Sequence, residues 1–230
     1  HIHQGFDDGI EIFGGATTLK HVVVTDTQDD SFDFDAGWQG AAQYLFVQHG
    51  TVTLNDGSVV YMGNNGFESD GVKGSSTEQV SPSNPTIANV TIVTTDGNSV
   101  RDDDPSQAYK FDDQFNASIY NTVIVKKNAV NTACIEHSSD GEKQVDNIMF
   151  TSSVMACSAN FVGSDTFGGG PLAGQTKASW FENGGASEIL TDDVAVLADN
   201  GFATNTASAD VTVTANDLSE LGSFFDSVDY

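Results

Sequence analysis

The sequence predicts an all-β fold, a parallel β-helix (solenoid), on three observations. Its apolar runs are short and rich in β-branched residues, and clusters of Gly, Asn, Asp and Ser separate them. Glycine occurs 23 times in the 230 residues and proline only 4 times. Segments of similar sequence also recur along the chain in a fixed order. Each coil of a solenoid has one inward face and can bury it only by stacking on its neighbours, which explains such recurrence.

Two sets of segments make up the repeat, and the shortest steps show its length. A step of 22 residues separates Glu11 from Asp33, and one of 23 separates Cys134 from Cys157. Longer steps contain insertions at 48–65 and 72–85. The first set is 20–24, 43–47, 88–92, 120–124 and 146–150, and the second is 9–12, 31–34, 66–69, 108–111, 133–136 and 156–159.

A β-sandwich is the alternative, because its strands also recur every 8–12 residues or so. A sandwich does not predict that one residue type returns at one place in successive repeats, whereas stacked coils do. Here two such columns are expected. The aromatic and aliphatic column is Ile10, Phe32, Phe67 and Tyr109, and the asparagine column is Asn89, Asn121 and Asn147.

The two cysteines fall at equivalent places in adjacent repeats. Cys134 and Cys157 each follow an alanine. In neighbouring coils their Cα atoms would be close enough for a disulfide. Two stacked free thiols acting as small core residues remain the alternative.

The coil pattern divides the chain into two regions. We expect coils over 1–162 and a C-terminal cap over 163–230, packed on the last coil. A short helix is expected at 218–221, capped by Asn216 or Asp217. Trp180 could instead stack on a sugar. The aromatic residues expected to cover the last coil are Trp180, Phe181, Phe224 and Phe225.

The charge of the chain excludes several partners. It has 33 acidic residues against 8 Lys and Arg, a net charge of −25, and its single arginine is Arg101. Neutralising nucleic-acid phosphates needs many basic side chains, so no nucleic-acid partner is expected. No apolar run approaches the length that spans a membrane, so the chain is not expected to be membrane-spanning.

The acidic residues fall into columns when the repeats are aligned. Like carboxylates one strand spacing apart repel each other, and a hard cation such as Ca²⁺ would relieve this with oxygen ligands. Simple solvation of an acidic surface is the alternative. The columns are Asp7–Asp29–Asn64, Asp8–Asp30–Asn65 and Glu11–Asp33–Glu68–Lys110, and the expected calcium ligands are Asp7, Asp8, Glu11, Asp29, Asp30, Asp33 and Glu68.

Several motifs resemble a family of bacterial surface proteins without a settled activity. They lie at 5–15, 29–33, 66–70, 83–90 and 221–225. Many members are predicted lipoproteins of marine and aquatic Gram-negative bacteria. The resemblance implies a right-handed β-helix, an extracellular or outer cell-surface location, and further coils before His1. More distantly the chain is similar to pectate-lyase-type enzymes, an analogy of fold alone.

The sequence therefore predicts a non-catalytic, calcium-stabilised surface or adhesion module. Its acidic face would bind a glycan, a surface protein or another copy of the same chain. One alternative is a calcium-dependent carbohydrate-active enzyme, a polysaccharide lyase with Lys110 as base or a hydrolase with a carboxyl pair. Another is a structural subunit that self-assembles end to end through the unpaired edge of its first coil.

Overall fold

A computed structural model describes residues 1–72, 81–126, 133–137, 147–157, 159–190 and 213–226. The described residues contain fifteen strands and one α-helix. The strands are β1 (Ile2–His3), β2 (Ile10–Phe13), β3 (Thr18–Thr25), β4 (Phe32–Asp35), β5 (Ala41–Gln48), β6 (Thr51–Thr53), β7 (Val59–Tyr61), β8 (Asn65–Asp70), β9 (Thr86–Thr94), β10 (Gln107–Asp112), β11 (Ala117–Lys126), β12 (Ile135–His137), β13 (Ile148–Thr151), β14 (Val154–Ala156) and β15 (Glu188–Leu190), and the helix is α1 (Lys177–Glu182).

Two parallel sheets contain most of these strands. Sheet A has the order β1-β3-β5-β9-β11-β14-β15, and β13 also pairs with β11. Sheet B has the order β12-β10-β8-β4-β2. Strands β6 and β7 form a separate antiparallel hairpin. The chain thus alternates between the two sheets. Each time it returns to a sheet, it adds a strand next to the previous one. This confirms the predicted β-rich fold with parallel pairing.

The aromatic column expected from the repeat lies in the core of sheet B. Ile10 pairs with Phe32, Phe32 with Phe67, and Phe67 with Tyr109. The ring centroids of Phe32 and Phe67 are 4.9 Å apart, and those of Phe67 and Tyr109 are 4.8 Å apart. These distances match the spacing of adjacent strands, so each ring packs on the ring of the next strand.

Sheet A contains a second column, which is defined by backbone conformation. Non-glycine residues at matching positions of successive strands have φ between 52° and 59°. A left-handed residue bends the strand, and repeating it at one position keeps neighbouring strands in register. The residues of this column are His21, Tyr44, Asn89, Asn121, Ser152 and Ala186.

The prediction that Asn147 lies in one column with Asn89 and Asn121 is wrong. Ile148 pairs with Ala117, so Asn147 precedes β13 and Ser152 lies opposite Asn121. The column requires a left-handed backbone, which serine also adopts here, with φ of 52°. Alignment by residue type therefore placed the last repeat out of register.

Cys134 and Cys157 form a disulfide, with their Cα atoms 6.4 Å apart. Of the two alternatives for these cysteines, the bridged one is present. It joins the region of β12 to the residue that follows β14, and thereby links two successive repeats.

Helix α1 closes part of the core. Thr176 caps it by accepting a hydrogen bond from the Ser179 backbone. Trp180 and Phe181 are buried, and the Trp180 ring contacts Phe150. With 4% of its surface exposed, Trp180 has no free face for a sugar, so the stacking alternative is wrong.

The segment 213–226, called the strap below, lies on sheet A. Leu218 and Phe225 form a cluster with Ala88, and Phe224 packs against it. Ile87 belongs to the main core, so its neighbour Ala88 faces the opposite side of the sheet.

The expectation that Phe224 and Phe225 cover the last coil is therefore wrong, because they pack on the outer side of sheet A. A 3₁₀ turn replaces the expected short helix at Ser219–Leu221, and Asp217 accepts a hydrogen bond from the Ser219 backbone.

No helix among the described residues is long and apolar enough to cross a membrane.

Candidate metal centre

The predicted acidic column on sheet B is confirmed in its register. Glu11 pairs with Asp33, Asp33 with Glu68, and Glu68 with Lys110. Glu136 extends the column beyond Lys110. Because the neighbouring Phe residues of β4 lie in the core, alternation places these charged side chains on the other face of the sheet.

Carboxylate oxygens approach one another in two groups, the second of which includes Glu11 and Asp33 of this column. One group is Asp7, Asp8 and Asp29, and the other is Asp8, Glu11 and Asp33. Within each group the possible ligand oxygens lie within 4.8 Å of one another. Five of the seven predicted ligands are thus brought together.

The first group already has a cation of its own. The Arg101 guanidinium forms ion pairs with Asp7 and Asp29, the latter at 2.7 Å between Nη1 and Oδ2. Its hydrogen bond to Asp7 holds the pKa of that carboxyl below the ordinary value. Arg101 lies in the loop after β9, far along the chain from both acids, and sequence reasoning did not find this contact. The side chain of Arg101 therefore offsets part of the negative charge of this group.

The second group has an incomplete set of partners. Asp33 is only 7% exposed, and its buried Oδ1 accepts no hydrogen bond from the described residues. Asp8 Oδ1 accepts one bond from the Asp30 backbone at 3.1 Å, and Glu11 is exposed. The Asp33 carboxylate therefore combines an unsatisfied buried oxygen with close approach to two further carboxylates, an arrangement that suits a hard cation.

Burial, together with the neighbouring carboxylates, raises the pKa values of Asp33 and Asp8. Burial, followed by the charge of Glu68, raises the pKa of Asp33 to about 8. Burial and the charge of Asp29 raise the pKa of Asp8 to about 6. A divalent cation between these groups would favour their ionised forms, and near neutral pH it would displace the proton that Asp33 holds.

Asp30 and Glu68, the other two predicted ligands, lie outside both groups. Asp30 Oδ1 accepts a hydrogen bond from the Asn65 backbone at 2.7 Å, and burial raises the pKa of Asp30 well above its usual value. Glu68 forms an ion pair with Lys110. Both carboxylates therefore have protein partners.

Lys110 is a poor base in this arrangement. Burial alone would lower its pKa, but the hydrogen bond to Glu68 and the neighbouring carboxylates raise it above the ordinary value. Its amine stays protonated near neutral pH and cannot accept a proton from a substrate.

Sequence reasoning missed Asp70. Burial, followed by the charge of Glu68, raises the pKa of Asp70 to about 7. The signal was present, because Asp70 is two residues from Glu68 and must share its face of the strand. The register confirms this placement, since Asp112 pairs with Asp70 as Lys110 does with Glu68.

Comparisons with known proteins give one family. Residues 1–164 match a family model described as a pectate-lyase-like beta helix domain. No curated protein and no solved structure matches the chain. The matched region includes both sheet-B carboxylate groups and all strands from β1 to β14.

Proposed function

Because the chain belongs to the family of pectate-lyase-like β-helix domains, we propose that it is a non-catalytic binding module with a calcium ion on sheet B. We place it outside the cell or at the outer cell surface, where its disulfide would persist in an oxidising environment. Its coils would form a right-handed solenoid that presents the acidic face of sheet B to a glycan or a surface protein.

One observation carries the calcium proposal: an oxygen of the Asp33 carboxylate lies within 4.8 Å of oxygens of Asp8 and Glu11, and the buried Oδ1 of the same carboxylate has no donor among the described residues. Unsatisfied buried oxygens are costly, and three carboxylates this close repel one another when ionised. Ca²⁺ takes six to eight oxygen ligands in flexible arrangements, so these side chains would supply part of its shell and water the rest.

The charge of the module limits its ligands. At a net charge of −25 it repels polyanions, so an uncharged glycan or a basic protein surface fits better than a polyuronate. Calcium would hold the acidic residues of β2 and β4 in a fixed arrangement. The module would then bind its glycan or protein ligand without cleaving it.

A thermal melt in excess EDTA, then with millimolar Ca²⁺ restored, tests the calcium site. Saturation at a hundred times the dissociation constant adds about 2.7 kcal/mol, which raises the melting temperature of a chain of this size by roughly 5–10 °C. Asp33→Asn should melt higher than the wild type in EDTA, because it removes a buried carboxylate, and should lose the calcium shift.

Glu182→Gln is the matched control, because Glu182 is an exposed acid at the end of α1, away from both carboxylate groups. It should keep the full calcium shift. The calcium proposal fails if wild type shows no shift, or if Asp33→Asn shifts as much as wild type does.

A hydrolase is the second candidate, favoured by the carboxyls on sheet B. Glycoside hydrolysis needs one protonated carboxyl and one ionised partner. Asp33, with a pKa raised to about 8 by burial and by Glu68, would be protonated near neutral pH, and other carboxylates lie beside it. Release of reducing ends from a panel of polysaccharides, abolished in Asp33→Asn, would favour the enzyme over the binding module.

A further inference from the structure

The hairpin of β6 and β7 has one edge without a strand partner. The far edge of β7 is occupied, since the Val100 backbone N–H donates to the Tyr61 carbonyl at 3.0 Å. On the near side, β6 pairs with no described strand except β7. An unpaired edge is a template on which another extended segment can pair.

The hydrogen bonds of the hairpin show which backbone groups β6 leaves open. The Leu54 N–H donates to the Ser58 carbonyl at 2.8 Å, on the side of β7. Bonded positions alternate along an antiparallel pair, so Val52 also bonds to β7. Thr51 and Thr53 therefore direct their N–H and C=O groups away from β7, and both residues are exposed. Two donors and two acceptors are thus open to a further strand.

One face of the hairpin is aliphatic and at least partly exposed. Val52 lies opposite Val60, and alternation places Leu54 on the same face as Val52. Leu54 is 44% exposed. An extended segment added to β6 would place every second side chain over this face, so aliphatic residues at alternate positions would pack there.

The charges around the hairpin are acidic. Residues 50–62 contain one acidic side chain, the exposed Asp56 in the turn, and no basic one. The loop after β9 adds three exposed aspartates at 102–104, and its basic residue Arg101 is already paired with Asp7 and Asp29. A basic segment is therefore attracted, whereas a second copy of the chain, with a net charge of −25, is repelled.

We propose that β6 binds an extended peptide segment of a basic partner protein, in which aliphatic residues alternate with lysine or arginine. Its backbone would pair with Thr51 and Thr53, and its aliphatic side chains would pack on Val52 and Leu54. This surface uses none of the sheet-B carboxylates, so the proposal does not rest on the calcium ion.

A synthetic octapeptide in which lysine alternates with valine, acetylated and amidated at its ends, tests this proposal in the presence of EDTA. When it binds, hydrogen exchange at the Thr51 and Thr53 amides should slow at least ten-fold, because each N–H gains an acceptor. A peptide of four lysines followed by four valines has the same charge and composition. Without the alternation, it should bind at least ten-fold more weakly.

Three variants locate the site. Thr53→Pro removes one outward N–H at an edge position where proline is tolerated, so it should weaken binding at least ten-fold. Leu54→Lys places a like charge on the aliphatic face and should weaken binding as much, even if Thr53→Pro fails to fold. Val162→Lys is the matched control, because it adds the same charge at another exposed aliphatic position, and should bind like wild type.

Several results would overturn the proposal. These are equal binding of the two peptides, unchanged exchange at Thr51 and Thr53, unchanged binding by folded Leu54→Lys, or equal weakening by Val162→Lys. A dimer in a mass measurement that Leu54→Lys converts to monomer would also overturn it, because a second copy would then occupy the edge of β6.

Discussion

At the scale of single residues, burial determines how the acids on sheet B behave. The columns of Glu11, Asp33 and Glu68 could be predicted from the sequence because register follows from the repeat. The hydrogen-bond or ion-pair partner of each acid could not be predicted in this way. Arg101 reaches Asp7 and Asp29 from a loop after β9, and the path of that loop depends on contacts that no local pattern encodes.

Asp70 gives a residue-level prediction about pH. Burial, followed by the charge of Glu68, raises its pKa to about 7, so the folded state holds a proton that the unfolded state releases near pH 4. The contribution of Asp70 to stability therefore falls as pH rises from about 4 to about 7. Asp70→Asn should lack this loss. Its free energy of unfolding above pH 7 should therefore exceed that of wild type by roughly 1–2 kcal/mol, with solvent screening taken into account.

Urea unfolding of both proteins at pH 4.5 and pH 8 measures that difference. The gain of Asp70→Asn over wild type should appear at pH 8 and be small at pH 4.5. Parallel pH profiles for the two proteins would show that Asp70 titrates normally.

At the scale of elements, the strands were predictable and the strap was not. Hydrophobic recurrence located most strands of the two sheets, since each strand has an inward face. It wrongly grouped 156–159 with 133–136, because Ala156 pairs with Val125 on sheet A and Ile135 pairs with Phe161 instead. The strap is held by side-chain amides that contact distant backbone. Asn121 accepts a bond from the Asn216 N–H at 2.6 Å and donates one to the Asn216 carbonyl at 3.1 Å. The hydrophobic periodicity of the sequence does not predict such contacts. Helix α1 was missed because it is only six residues long.

Asn121→Gly tests how the strap is held. Glycine accepts the left-handed backbone at this position, so the variant removes the two hydrogen bonds without adding strain. We expect a loss of about 1–3 kcal/mol in the free energy of unfolding and faster hydrogen exchange in the strap.

Ser152→Gly is the matched control, because Ser152 has the same backbone conformation in the same column, and its backbone N–H donates to the Gly185 carbonyl, not to the strap. The free energy of unfolding should fall less in Ser152→Gly than in Asn121→Gly, and hydrogen exchange in the strap should stay as in wild type. Equal losses in the two variants would mean that the strap does not depend on the Asn121 amide.

At the scale of the whole molecule, the disulfide links successive repeats, so removing it should affect the entire fold. Cys134 and Cys157 are 23 residues apart. Closing a loop of that length contributes about 3 kcal/mol in the chain-entropy treatment. Replacing both cysteines by alanine should lower the melting temperature by roughly 6–12 °C.

A reductant supplies the control for that change. It should lower the melting temperature of wild type toward that of the double alanine variant, and should not affect the variant itself. A double variant that melts with wild type would contradict a stabilising role for the bridge.

The central claim about the molecule combines the register of its parallel strands with the calcium ion that we propose between them, and one crystal structure tests both. Crystals grown with millimolar calcium should show β2, β4 and β8 paired in parallel with Glu11 beside Asp33. A single anomalous peak should lie among Asp8, Glu11 and Asp33, with carboxylate oxygens at about 2.3–2.6 Å. Separation of Glu11 from Asp33, or well-ordered carboxylates with no peak between them, would contradict the claim.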